Sequence, residues 1–165
     1  MKKIVISILI LSFMTLSINI DDRYTVYANV KPSNQQKMEQ YYLNQLKSIS
    51  DQLYILSSNV LKSVIDKSDK SKLFQDIEYI KTQIKSMIME VPKYYKEKDS
   101  DIYQNIGLLA FLNALNYYSM ALTYLNEFLN SGSESDQSIL LENYYFNKSM
   151  GDQTYLWLKD NLKDN

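Results

Sequence analysis

From Met38 onward, apolar residues recur every three or four positions. Met38, Tyr42, Leu46, Ile49, Leu53, Leu56, Val60 and Val64 mark one face of a helix, not the alternation of a half-buried strand. The spacing predicts a first helix from about Gln35 to Asp66, after a polar lead-in containing Pro32, with Ser33 or Asn34 as its cap. The charged stretch 66–72 breaks the pattern, and Ser68, Asp69 or Ser71 can cap the next helix. Leu73, Ile77, Ile80, Ile84, Met87 or Ile88, and Val91 predict this second helix over Ser71–Val91. Pro92, which lacks a backbone donor, is expected to end it.

Residues 92–101 read as a polar connection in which Asp99, Ser100 or Asp101 caps the third helix; Asp101 with Gln104 fits a capping box. Leu108, Phe111, Leu115, Tyr118, Leu122, Leu125 and Leu129 place that helix at about Ile102–Asn130. Gly107, Ala110, Ala114 and Ala121 add a stripe of small residues along which a neighbouring helix can come close. After the loop at 131–136, Leu141, Tyr144, Tyr155, Leu158 and Leu162 predict a fourth helix over Gln137–Leu162. Gly151 costs a helix interior about 1 kcal/mol relative to Ala, so a kink or break is expected near Gly151. The expected fold class is all-α: an antiparallel up-down four-helix bundle.

The N-terminus has a different pattern. Lys2 and Lys3 precede an uncharged, mostly apolar run over 4–20, and Val26-Tyr27-Ala28 resembles a signal peptidase site. Residues 1–28 therefore read as a bacterial signal peptide cleaved after Ala28, and 29–165 as a single helical-bundle domain. The alternative is an uncleaved anchor, since the run is at the lower limit of length for a bilayer span. The expected location is secreted or cell-surface.

Composition removes most chemistry. With no Cys, disulfides are impossible; with no His, so are Ser-His and Cys-His nucleophile pairs and His-ligated zinc or haem. Beyond residue 28 the 18 basic residues fall to 15, all Lys, and the 19 acids to 17, a net charge of −2. A chain without Arg and with a slight negative charge suits no phosphate backbone, so no nucleic-acid partner is expected. Asp99 and Asp101 have the spacing of two calcium-loop ligands but lack the loop's Gly and terminal Glu. Asp76, Glu78 and Glu142 lie on ordinary helix faces, the first two near Lys72 and Lys81. No cofactor, no metal and no catalytic residue is expected.

Two features invite a functional reading. The first is the tyrosine content, with doublets at 41–42, 94–95, 117–118 and 144–145. Adjacent helical positions point about 100° apart, so one ring of a doublet enters the core and the other lies at its edge. Tyr94 and Tyr95 differ, because they fall in the predicted connection between Lys93 and Lys96. Lys93, Tyr94, Tyr95 and Lys96 are therefore the candidate binding residues: aromatic area beside positive charge in a loop. The second feature is 102–126, which has no charged residue. It reads as the most buried helix of the bundle, or alternatively as a membrane-inserting segment of a toxin or pore former, although Asn113 and Asn116 would be expensive in lipid.

These observations favour an exported, non-enzymatic helical bundle that acts by protein–protein binding at or outside the cell surface. The alternatives are a membrane-active protein that inserts 102–126 and a small-ligand binder with a pocket between helices near Gly107 and Gly151. Otherwise the chain meets a membrane only during export.

Overall fold

A computed structural model describes residues 34–66, 69–98 and 105–162. The expected signal peptide and its cleavage after Ala28, the expected caps Ser33, Ser68, Asp99, Ser100 and Asp101, and residues 102–104 lie outside the described residues. The fold is all-α: four helices, α1 (Asn34–Asp66), α2 (Ser71–Lys98), α3 (Ile106–Asn130) and α4 (Glu134–Asn161), and no strand among the described residues.

Short polar side chains start three of the helices. Before α2, Asp69 Oδ1 accepts from the Ser71 backbone N–H at 3.0 Å and from its hydroxyl at 2.7 Å. Those bonds, the backbone one foremost, hold the Asp69 carboxyl below the usual carboxylate range. Asn105 caps α3 by accepting from Leu108 N–H at 3.0 Å. Ser133 caps α4 by accepting from Asp136 N–H at 3.3 Å. Where α3 ends, Lys70 Nζ donates to the Leu129 carbonyl at 2.6 Å, placing a cation on an orphan acceptor at the negative end of the helix.

The predicted stripes meet in one core that includes Leu46, Leu53 and Val60 of α1, Ile80 and Val91 of α2, Phe111 and Leu115 of α3, and Tyr144 and Leu158 of α4. Helix α3 packs against all three others, whereas among the described residues no Cα of α2 lies within 8 Å of one of α4. Ten α3 residues are buried, against four in α4 (Tyr144, Asn147, Gly151 and Leu158). The burial of α3 is thus much as its sequence suggests, while α4 leaves most of its apolar side chains outside the core.

Two expected breaks are absent. Helix α2 continues through Pro92 to Lys98. Proline in a helix interior costs about 3 kcal/mol, but the stripe runs on past it, with Val91 0% and Tyr95 2% exposed. The burial of Tyr95 and the half-burial of Tyr94 offset the lost hydrogen bond. Helix α4 likewise runs unbroken through Gly151. There the fully buried Tyr118 ring lies against the bare backbone: an added Cβ would fall 2.6 Å from Tyr118 Cδ1, and closer still to Cε1. The glycine allows a close helix–helix approach and is not a hinge.

Candidate functional site

The tyrosine doublets divide as geometry demands. Tyr42, Tyr95, Tyr118 and Tyr144 are buried, whereas Tyr41 and Tyr145 are exposed and Tyr94 and Tyr117 are half-buried. At one end of the core Tyr42 lies 5.7 Å from Tyr94 and 6.2 Å from Phe111, with Tyr94 and Tyr95 5.0 Å apart, centroid to centroid. Burial, and then the nearby Glu39 carboxylate, push the Tyr94 hydroxyl up to about 12 and that of Tyr95 higher.

The four residues Lys93, Tyr94, Tyr95 and Lys96 therefore occupy the last turns of α2, not a loop. Lys93 and Lys96 are exposed and Tyr94 is half-buried, but Tyr95 is in the core. The expectation of a loop patch is corrected on this point: the helical period carries one ring of the doublet inward, where no partner reaches it without unfolding the turn.

A second cluster joins residues far apart in sequence. Asp152 Oδ1 accepts from the Ser50 hydroxyl at 2.6 Å and from the Tyr118 hydroxyl at 3.0 Å. Lys148 Nζ donates to Asp152 Oδ2 at 2.6 Å and to Ser50 Oγ at 3.1 Å. The Lys148 side chain is 13% exposed and that of Asp152 36%. Desolvation, and then the Asp152 charge, drive the Tyr118 hydroxyl far above its ordinary range, so it serves as a donor. A serine beside a lysine invites comparison with a Ser-Lys nucleophile pair. Here the ammonium is committed as a donor to Asp152 and Ser50, and cannot take the serine proton while that ion pair stands. All four residues lie inside helices, whose backbone N–H groups are already paired and offer no oxyanion donors. The arrangement latches α1, α3 and α4 in register. Tyr144 adds a further tie, its buried hydroxyl donating to the Leu53 carbonyl at 2.8 Å. Among the described residues no group of three acidic side chains is placed to hold a metal ion.

An open groove lies between the outer faces of α3 and α4. It has a volume of about 710 Å³ and is lined by Ile106, Leu109, Asn113 and Asn116 of α3 and by Met150 and Trp157 of α4, with Leu112 and further small and polar residues between them. No lining residue is charged. Ile106 is 67% exposed, Leu109 49% and Trp157, the chain's one tryptophan, 43%. The apolar edge continues along α4 through Ile139, Phe146, Met150 and Trp157, spaced seven, four and seven residues apart. Ile139 and Phe146 are also exposed. These residues carry no signal of outward placement in the sequence. The same absence of charge that marks α3 as a core helix also describes its outer face, and only packing separates the two.

The chain matches no family model, no curated protein and no solved structure.

Proposed function

We propose that this chain is an exported, non-enzymatic protein that acts by protein–protein binding at or outside the cell surface, and that the groove between α3 and α4 is its binding face. In this reading residues 1–28 are a signal peptide and the helices form an antiparallel up-down bundle. The observation that carries the proposal is the uncharged, apolar groove, with Ile106, Leu109 and Trp157 open to solvent. Contiguous apolar surface of this kind is a cost to a soluble protein unless something covers it. A partner helix that lays its apolar face into the groove would do so.

One observation favours a membrane instead: α3 is long and apolar enough to cross a bilayer. Insertion would have to withdraw Leu108, Phe111, Leu115 and Leu125 from the core, since they are at most 1% exposed. It would also place Asn113 and Asn116 in hydrocarbon. Protein binding requires neither.

The test is capture from cell-envelope and culture-medium fractions by the parent chain and two surface variants. Leu109→Glu lies in the groove; Tyr54→Glu lies on α1, where Tyr54 is 66% exposed. The partner should be lost with Leu109→Glu and kept with Tyr54→Glu, both variants melting like the parent. Equal capture by Leu109→Glu would remove this face from consideration. Release of dye from neutral liposomes by the parent chain would favour the membrane reading.

A further inference from the structure

The outer face of α3 carries a second repeat, distinct from the one that enters the core. Ile106, Leu109, Asn113, Asn116, Met120 and Thr123 are spaced three, four, three, four and three residues apart, the seam along which one helix packs on another. Ile106, Leu109 and Met120 are 67%, 49% and 46% exposed, and Asn116 and Thr123 are also exposed, with Asn113 among the residues that line the groove. The seam is uncharged, and the first charged residue of α3 is Glu127, beyond its end.

Resting on the binding face proposed above, we infer that its occupant is a second copy of this chain, paired through α3 in antiparallel orientation about a two-fold axis between Asn113 and Asn116. The first argument is electrostatic. Two identical surfaces carry identical charges, so a lysine or glutamate at the axis would meet its own like; a self-docking seam must be neutral there, and this one is. The second is chemical symmetry. Outward from the proposed axis the seam reads asparagine then apolar on both sides: Asn113 and Leu109 one way, Asn116 and Met120 the other. The two-fold operation sets Asn113 against Asn116 of the second copy and Leu109 against its Met120. Leucine meets methionine, an amide, which both donates and accepts, meets another amide, and at the ends Ile106 meets Thr123 of the second copy, whose methyl group offers apolar surface beside its hydroxyl. A paired asparagine at the centre of a helix seam is also a known means of choosing register and partner number. A bilayer would leave these amides without partners. Met150 and Trp157 of α4 flank the seam and add apolar surface beside it.

The absence of cysteine makes the test direct. Sedimentation equilibrium of the purified full-length chain should give a dimer, twice the 19.4 kDa of one chain. Asn113→Asp with Asn116→Asp puts four carboxylates at the axis and should weaken association by about 100-fold or more, since like charges brought together in an interface are strongly unfavourable. Both side chains line the open groove and neither is in the core, so the helical circular dichroism should stay unchanged. Mixed oxidation of Leu109→Cys and Met120→Cys chains should yield chiefly the mixed disulfide. Homodisulfides alone would mean parallel pairing and overturn the antiparallel arrangement. A monomeric parent at high micromolar concentration, or association indifferent to the double Asp variant, overturns the second-copy inference. If the parent is monomeric but Leu109→Glu still abolishes capture of another protein, the binding face stands and only its occupant is wrong. If neither self-association nor capture responds, both fall.

Discussion

Replacing Gly151 by alanine sets two physical effects of opposite sign against each other. Within a helix, Ala is favoured over Gly by about 1 kcal/mol, so α4 considered alone should gain. Packing predicts the reverse. The added Cβ would sit 2.6 Å from Tyr118 Cδ1, well inside van der Waals contact. Relief would require the ring to move, but Tyr118 is 0% exposed and its hydroxyl is held by Asp152 at 3.0 Å. Overpacking of a dense core costs roughly 1–3 kcal/mol, and the rigid ring places this site near the upper end. Weakening the hydroxyl–carboxylate bond adds about 1 kcal/mol. After subtracting the helical gain, the variant should lose about 2–3 kcal/mol and its Tm should fall by roughly 6–12 °C. Urea and thermal denaturation followed by circular dichroism measure both. Gly132→Ala is the control, since an added Cβ there meets nothing within 4 Å; it should be neutral or stabilising by up to about 1 kcal/mol. Combining Gly151→Ala with Tyr118→Leu should recover more than about 1 kcal/mol of the alanine penalty through coupling. If Gly151→Ala alone is as stable as the parent, or more so, Tyr118 does not fill the space over the glycine and the close α3–α4 approach is wrong.

The buried polar groups lead to two more expected outcomes. Asp152→Asn removes the charge partner of Lys148, whose side chain is only 13% exposed, while leaving an acceptor for Ser50 and Tyr118. Breaking a fully buried pair costs roughly 3–5 kcal/mol, and the partial exposure of Asp152 brings the expected loss in urea denaturation to about 1–3 kcal/mol; an unchanged midpoint would show that the latch contributes nothing. Alkaline pH tests the tyrosines. Desolvation raises the hydroxyls of Tyr95, Tyr118 and Tyr144 above their ordinary value of 10.0. A raised folded value means that the folded state holds its proton where the unfolded state has lost it. Stability is then fully present below about pH 10 and declines as pH rises towards the folded values. Ultraviolet absorbance should show the phenolates of Tyr95, Tyr118 and Tyr144 forming only in a steep step that coincides with loss of helical signal. Their smooth titration near the ordinary value with helicity intact would contradict their burial.

Much of the fold was legible in the chain because a helix advertises itself locally. A three-four repeat such as Leu108 to Leu129 needs no knowledge of neighbours, and a helix-start residue such as Asp69 acts within two residues of itself. The tyrosine doublets divided inside and outside for the same local reason. Absent histidine and cysteine narrowed the chemistry before any geometry was considered.

What the sequence could not decide were contests between a local cost and a distant gain. Pro92 and Gly151 each carry a helix penalty readable from one residue, and each was outweighed by a ring: Tyr95 continuing the buried face of α2, and Tyr118 arriving from α3 to lie over the glycine. The latch is equally remote, joining Ser50 to Asp152 across 102 positions of sequence. The candidate binding residues moved for a related reason. Tyr95 is available to a partner only if Pro92 ends the helix, and it does not. On α3, the repeat through Leu108 and Phe111 and the repeat through Ile106 and Leu109 are both uncharged. Absence of charge alone permits either stripe to be buried, and only the packed positions of α1, α2 and α4 determine which is covered and which is left facing water.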